Sequence, residues 1–253
     1  MDVSGVAAIV TGGASGLGAA TAEMLASKGA KVAVFDLNEE AGTALAKRIG
    51  GAFFKTNVTD DASVTEAIAS AEAAHGVARV LVNCAGIATG ARTVGREGQP
   101  HRLDEFRRVV EINLIGTFNM ISKLAARLSQ AAPIGEERGV IVNTASVAAF
   151  EGQIGQAAYA ASKGGIVGMT LPIARDLAQL GIRVMTIAPG IFWTPMLGGL
   201  PQAAQESLGK QVPFPSRLGR PEEYAQLVAS ILANPMLNGE TIRLDGAIRM
   251  APR

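Results

Sequence analysis

The sequence predicts an α/β fold in one domain, with a seven-stranded parallel sheet that helices cover on both faces. Short apolar segments alternate with longer segments of helical periodicity through all 253 residues, and this order is typical of parallel sheets. The segments that predict strands are residues 6–10, 31–35, 52–56, 80–82, 140–143, 182–187 and 241–244. No internal repeat or linker interrupts the alternation, so we expect a single domain over residues 1–253.

A glycine-rich turn follows the first predicted strand and precedes a helix. Its sequence, Thr11-Gly12-Gly13-Ala14-Ser15-Gly16-Leu17-Gly18, lets backbone N–H groups approach a pyrophosphate at the positive end of the helix dipole. The next strand ends at Asp36, whose carboxylate can accept hydrogen bonds from both ribose hydroxyls and would repel a 2′-phosphate. The order therefore predicts a Rossmann-type dinucleotide site that prefers NAD over NADP. The alternative for Asp36 is a simple N-cap of the following helix.

Further polar residues follow the other strands, at the edge of the sheet where ligands bind in such folds. The segment 83–86 ends the fourth strand, Ser146 follows the fifth, and residues 188–190 end the sixth. Ser146 alone could equally be the cap of a turn. Helices are expected at 19–28, 38–50, 60–74, 103–130, 156–180 and 221–233. Asn113 is unfavourable inside a helix, so we expect a local helix distortion there, close to Gly116.

Tyr159 and Lys163 stand four residues apart in a predicted helix, which places them on the same face. A phenol with a pKa of about 10 is a poor base near neutrality, and a nearby ammonium lowers that pKa. Such a phenol can exchange a proton with a substrate oxygen. The alternative is an ordinary solvated pair on a helix surface, and only the surrounding motifs favour the catalytic interpretation.

Two segments lack clear periodicity. Residues 91–102 form a polar loop with Arg92, Arg96 and His101, which is either a solvated loop or a contact for a phosphate-bearing substrate. Residues 190–216 mix apolar residues with Gly and Pro beside the predicted site, and we expect a substrate lid there. Trp193 within it belongs either to the wall of the substrate pocket or to the core.

Composition argues against several classes of protein. The formal net charge of +1 gives no case for nucleic-acid binding. Cys84 is the single cysteine and there are two histidines, so neither a disulfide framework nor a metal site is expected. No apolar run approaches about 18 residues, so no membrane span is expected. The amino terminus lacks a basic signal-peptide segment. We therefore expect a cytoplasmic protein, or a mitochondrial matrix protein if a transit peptide has been removed.

Taken together, the motifs resemble the short-chain dehydrogenase/reductase family along the whole chain. The motifs that carry the resemblance are Thr11-Gly12-x-x-x-Gly16-x-Gly18, Asn83-Cys84-Ala85-Gly86, Asn113, Ser146 and Tyr159-x-x-x-Lys163. The usual motif of the family has a second Asn where this chain has Cys84, which puts a thiol beside the cofactor.

The resemblance implies a role for each matching residue. Tyr159 is the acid/base, Lys163 tunes it and holds the nicotinamide ribose, and Ser146 orients the substrate oxygen. Asn113 anchors a water that relays protons, and Gln153 joins Ser146 and Tyr159 as a substrate contact. The implied NAD contacts, besides Tyr159 and Lys163, are Gly12, Ser15, Gly16, Leu17, Gly18, Asp36, Asn57, Val58, Cys84, Ala85, Gly86, Pro189, Phe192 and Thr194.

Segments 143–153, 212–219 and 237–250 are similar to family members that act on 3-hydroxyacyl-CoA. This implies reversible, NAD-dependent oxidation of an (S)-3-hydroxyacyl-CoA to the 3-oxoacyl-CoA in fatty acid metabolism, by a homotetramer. A hydroxysteroid or another hydrophobic secondary alcohol is the alternative substrate. An alternative of another class is a dinucleotide-binding scaffold that holds partner proteins.

Overall fold

The seven strands form one parallel sheet. The structure, a computed structural model, describes residues 1–198 and 201–252. The strands are β1 (Ala7–Thr11), β2 (Lys31–Asp36), β3 (Ala52–Lys55), β4 (Val80–Asn83), β5 (Gly139–Thr144), β6 (Ile182–Pro189) and β7 (Thr241–Leu244). Their order is β3-β2-β1-β4-β5-β6-β7, and every neighbouring pair is parallel. The predicted fold class is confirmed.

Helices cover the sheet and extend into the predicted lid. They are α1 (Gly16–Ser27), α2 (Glu39–Ile49), α3 (Asp61–His75), α4 (Leu103–Val110), α5 (Gly116–Ser129), α6 (Ala157–Leu177), α7 (Pro195–Gly198), α8 (Gln202–Lys210) and α9 (Pro221–Ala233). Short 3₁₀ turns run over Val147–Ala149 and Ala178–Leu180.

Two apolar layers sandwich the sheet, because successive strand residues point to opposite faces. Ile9 joins the layer beneath α3, α5 and α6, whereas the next residue, Val10, joins the layer beneath α1, α2 and α9. Leu81 and Val82 divide in the same way on β4. Strands buried on both faces explain why the sequence shows continuous apolar runs rather than alternation.

The strand order reverses at β1, which lies between β2 and β4. In register, Thr11 is opposite Asn83, and Asn83 is opposite Asn143. The Asn83 amide donates to Asn143 Oδ1 at 2.9 Å, and Thr11 Oγ1 lies 3.5 Å from Asn83 Oδ1. These buried contacts bind together the carboxyl ends of three strands at the point where open α/β sheets bind ligands.

The predicted helix over 103–130 is continuous in space, but its middle is π-helical rather than α-helical. A π-helical turn, Glu111–Ile115, joins α4 to α5 and contains the fully buried Asn113. The predicted distortion is therefore confirmed, in a form that is frequent at functional sites.

The segment predicted as an irregular lid contains two helices, α7 and α8. Pro195 begins α7 and Pro201 is the N-cap of α8. Proline lacks an amide hydrogen, which a residue at the start of a helix does not need, and its φ suits a helix. These prolines therefore mark the beginnings of helices rather than a loop. Across the described ranges 1–198 and 201–252, no helix has both the length and the apolarity needed to cross a bilayer.

Candidate active site

A cavity of about 1060 Å³ opens at the carboxyl ends of the strands. It is lined by the glycine turn, by the ends of β2 to β6 and by the start of α6. The predicted site residues that line it are Gly12, Ser15, Gly16, Leu17, Gly18, Asp36, Asn57, Val58, Cys84, Ala85, Gly86, Ser146, Gln153, Tyr159, Lys163, Pro189, Phe192 and Thr194. The tertiary structure thus brings together every predicted site residue except Asn113.

Close backbone packing explains the glycines of the turn. Gly12 has φ +60°, and a Cβ there would lie 2.7 Å from the Ala85 nitrogen. A Cβ on Gly18 would lie 2.2 Å from the Gly12 oxygen. The turn can therefore fold against the end of β4 only with hydrogen at these positions.

The Asp36 carboxylate is held by backbone amides. Oδ2 accepts from the Ala14 nitrogen at 3.0 Å, and Oδ1 accepts from the Asn38 nitrogen at 2.9 Å. The alternative role of Asp36 as a helix cap is wrong, because Asn38 is the N-cap of α2 and accepts from the Ala41 nitrogen. Asp36 instead ties the glycine turn to the end of β2, at the cavity wall.

Tyr159 and Ser146 meet inside the cavity. Burial raises the pKa of the Tyr159 phenol, and a side-chain hydrogen bond with Ser146 acts in the opposite direction. The pKa of Tyr159 is therefore raised overall, not lowered as the Tyr159/Lys163 spacing predicted. The Lys163 ammonium lies 5.8 Å from the centre of the phenol ring, and loss of hydration has the largest effect on the pKa of the phenol.

Lys163 reaches the site from the same helix but is itself buried, with 5% of its surface exposed. Its Nζ donates to the Thr144 carbonyl oxygen at 2.7 Å. Burial lowers its pKa from 10.5 to about 8. The lysine is therefore still mainly protonated at neutral pH, but at a cost in hydration.

Asn113 lies behind the cavity rather than in its wall. Its Oδ1 accepts from the Ile87 nitrogen at 2.8 Å. Its Nδ2 donates to the Ile87 oxygen at 2.9 Å and to Ser162 Oγ at 3.0 Å. The side chain thus fixes the segment after β4 to α6. Its role in holding a water stays a prediction.

Trp193 occupies neither of the predicted places. Its side chain is 46% exposed and lies beside Gly198 in α7. Within the part of the chain that the structure describes, it does not line the main cavity. The residues on either side of it, Phe192 and Thr194, line that cavity.

The loop over 91–102 borders a smaller cavity next to the main one. Arg92 lines this second cavity, of about 440 Å³, and Gln153 lines both. Gln153 Nε2 donates to the Ala251 oxygen at 3.0 Å, so the side chain also anchors the carboxyl-terminal segment.

Sequence reasoning missed several residues of the cavity wall. Thr144, Gln156, Leu208 and Met250 are among them. Met250 comes from the carboxyl-terminal segment, which Arg243 holds through a hydrogen bond from Nη2 to the Ile248 oxygen at 3.1 Å. The same guanidinium donates two hydrogen bonds to Glu151. No local pattern could have assigned these residues, since their position depends on contacts between distant segments. In the ranges described, no group of three or more His, Cys, Asp or Glu side chains is arranged to hold a metal ion.

The fold and the site together define the class of protein: the chain belongs to the short-chain dehydrogenase family. The family model described as short chain dehydrogenase matches residues 6–205, which include the glycine turn, Ser146, Tyr159 and Lys163. The predicted resemblance is confirmed. The family consists of oxidoreductases that use a nicotinamide dinucleotide on small-molecule substrates.

Individual relatives point to one group within the family. The 3-hydroxyacyl-CoA dehydrogenase type-2 of Homo sapiens is 58% identical over 255 residues, covering 99% of this chain and 98% of the relative. The protein of the same name from Drosophila melanogaster is 52% identical, covering 99% of this chain and all of the relative. The crystal structure of 3-hydroxyacyl-CoA dehydrogenase type-2 from Mycobacterium avium has a TM-score of 0.95 at 44% identity, covering 98% of each chain. The similarity predicted from segments of the sequence thus extends over the full chain.

Proposed function

We propose that the protein interconverts an (S)-3-hydroxyacyl-CoA and the 3-oxoacyl-CoA with NAD as the hydride acceptor. The observation that carries the proposal is the meeting of Ser146, Tyr159 and Lys163 in one cavity with the glycine turn. The names of the full-length relatives support the choice of substrate.

The glycine turn and α1 suit the pyrophosphate of a dinucleotide. Within the described chain, the N-cap residue of α1, Ser15, makes no capping hydrogen bond through its side chain, and the first turn holds no acidic residue. The amides of that turn are thus available to anionic oxygens at the positive end of the helix dipole. We expect Ser15 and Leu17 to hold the pyrophosphate, and Asn57 and Val58 to flank the adenine. When bound, the nicotinamide supplies the site that accepts or returns the hydride.

We infer a preference for NAD over NADP from Asp36. Backbone amides hold its carboxylate at the cavity wall, where a 2′-phosphate would meet a negative charge. The glycine turn offers no Arg or Lys to offset this repulsion. Equal turnover with NADP and NAD would contradict the argument.

Three side chains carry the proton chemistry in this proposal. Ser146 donates a hydrogen bond to the substrate oxygen. Tyr159 takes the hydroxyl proton during oxidation and returns it during reduction. Lys163 contributes a positive charge that favours the phenolate, against the burial that raises the pKa of Tyr159.

The lid proposed over 190–216 forms one wall of the substrate space. Phe192, Leu197 and Leu208 line the cavity from this segment, and Met250 lines it from the carboxyl-terminal segment. Apolar walls suit an acyl chain. Arg92, in the adjoining cavity that shares Gln153, is suitably placed for a phosphate of coenzyme A.

A substrate panel tests the proposal. NADH formation would be measured with 3-hydroxyacyl-CoAs of several chain lengths, with hydroxysteroids, and with NADP in place of NAD. We expect turnover of the acyl-CoA substrates, and a loss of about 10²- to 10⁴-fold in the Tyr159→Phe variant. Turnover of hydroxysteroids alone would transfer the function to the alternative substrate. No turnover of any alcohol would favour the scaffold hypothesis.

We also propose that the protein assembles as a homotetramer. Exposed apolar side chains extend from the π turn through α5 to α6, where Ile115, Phe118 and Leu171 are 43% to 50% exposed. Exposed apolar side chains are typical of contacts with another chain where they form a patch. Light scattering in solution distinguishes a tetramer of 26.0 kDa chains from smaller assemblies.

A further inference from the structure

A buried polar cluster lies beside Lys163. It joins Tyr224 from α9, Thr144 at the end of β5 and Cys84 after β4. Tyr224 is fully buried, and its hydroxyl lies 2.7 Å from Thr144 Oγ1 and 3.8 Å from Cys84 Sγ. The proposed mechanism gives Tyr224 no task, although burying a phenol hydroxyl is costly unless it is hydrogen-bonded.

The number of available hydrogens fixes the direction of these bonds. Thr144 Oγ1 lies 2.6 Å from the Asn83 carbonyl oxygen, which can only accept. The single hydroxyl hydrogen of Thr144 is therefore donated to Asn83, and Tyr224 must donate to Thr144. Cys84 is left to donate its thiol hydrogen to Tyr224, and burial, which raises the pKa of both groups, keeps them protonated.

Thr144 connects this cluster to the lysine. Its side chain accepts the hydrogen bond from Tyr224, while its main-chain carbonyl accepts the hydrogen bond from Lys163 Nζ at 2.7 Å. Tyr224 belongs to the apolar layer beneath α1, α2 and α9, whereas α6 packs on the opposite layer. The contact thus links the two faces of the sheet at the end of β5.

We propose that Tyr224 is a positioning residue for Lys163: its hydroxyl fixes Thr144, and thereby the carbonyl that holds the lysine ammonium. This inference rests on the proposed function, in which Lys163 supports the cofactor ribose and the phenolate. The titratable groups that face the ammonium are Tyr159 on its own helix and Cys84 after β4.

The variant Tyr224→Phe removes the hydroxyl and leaves the ring in place. Thr144 keeps its hydrogen bond to Asn83. The Cys84 thiol, a weak donor, loses Tyr224 as its acceptor but still has Thr144 Oγ1 at 3.5 Å. We expect kcat/KM to fall about 5- to 10-fold, the equivalent of one neutral hydrogen bond. We expect NADH binding, measured by fluorescence, to weaken by a similar factor. The pH of half-maximal oxidation should rise by about half a unit, because a displaced ammonium favours the phenolate less.

The variant Thr186→Val is the matched control. Thr186 is fully buried, and its hydroxyl lies 2.6 Å from Thr170 Oγ1, which itself donates to the Ile166 oxygen. Like Tyr224→Phe, this variant removes the donor of a buried pair of hydroxyl groups. The other hydroxyl, that of Thr170, keeps its hydrogen bond to a carbonyl oxygen. This pair does not contact Lys163. We expect a comparable loss of melting temperature with unchanged kcat/KM, NADH affinity and pH profile.

The outcomes separate the two proposals. If Tyr224→Phe and Thr186→Val have the same NADH affinity and pH profile, the positioning role is wrong. If the wild type turns over no substrate, the proposed function fails, and NADH binding still tests the positioning role. Should Tyr224→Phe not fold, Thr144→Val breaks the same link from its other end and must weaken NADH binding to support the proposal. Where both single variants fold, the double variant Tyr224→Phe/Thr144→Val should bind NADH no more weakly than Thr144→Val alone.

Discussion

We expect the charged Lys163 to destabilise the protein without cofactor at neutral pH, and the variant Lys163→Met tests this. Burial lowers the pKa of this lysine from 10.5 to about 8. Each pKa unit corresponds to about 1.4 kcal/mol, so the charged lysine destabilises the fold by about 3 kcal/mol at pH 7. Methionine has a similar length and no charge, but it leaves the Thr144 carbonyl without its donor, which costs about 1 kcal/mol.

The net expectation at pH 7 is a variant more stable by about 2 kcal/mol, with a melting temperature higher by about 4 to 8 °C. The sign of the pH dependence follows from the lowered pKa. Between about pH 8 and 10.5 the unfolded chain binds more protons than the folded one, so wild-type stability rises with pH. The advantage of the variant should therefore shrink towards pH 10.

Thermal unfolding without cofactor, from pH 6 to pH 10, measures both effects. Lys47→Met is the control, because Lys47 is exposed on α2. Saturating NADH should reverse the order of stabilities at pH 7, since the variant loses a proposed cofactor contact. A variant that is less stable than the wild type at pH 7, or an advantage that stays constant up to pH 10, would refute the reasoning.

Two further expectations concern the turn and the edge of the lid. Gly18→Ala forces a Cβ to within 2.2 Å of the Gly12 oxygen. It should therefore abolish NADH binding and lower the melting temperature, as fluorescence titration and calorimetry would show. Hydrogen bonds from Arg217 lower the pKa of Glu223 from 4.5 to about 2, so this carboxylate stabilises the fold above about pH 4.5 and loses that effect as pH falls through 2. Glu223→Gln should accordingly melt below the wild type at pH 6, by an amount that shrinks towards pH 3; a constant difference would contradict this.

Local patterns predicted the strands and most helices, because burial on two faces leaves short continuous apolar runs and helical amphipathicity leaves a periodic signal. The boundaries of α9 and β7 agree with the prediction to the residue. The lid was harder, because Pro195 and Pro201 signal a break without showing that helices follow. The distortion at Asn113 was predictable because Asn has a low propensity for the middle of a helix.

The sequence by itself determined the class of chemistry: a dinucleotide turn, an acid at the end of the next strand, and a tyrosine one helical turn before a lysine. Each of these signals is local, with its members within about 20 residues of one another. Only the tertiary structure decided that burial raises the pKa of Tyr159, that Tyr224 contacts Thr144, and that Met250 lines the cavity. Hydration and hydrogen bonds depend on which distant segments exclude water from a group, and neither composition nor spacing carries that information.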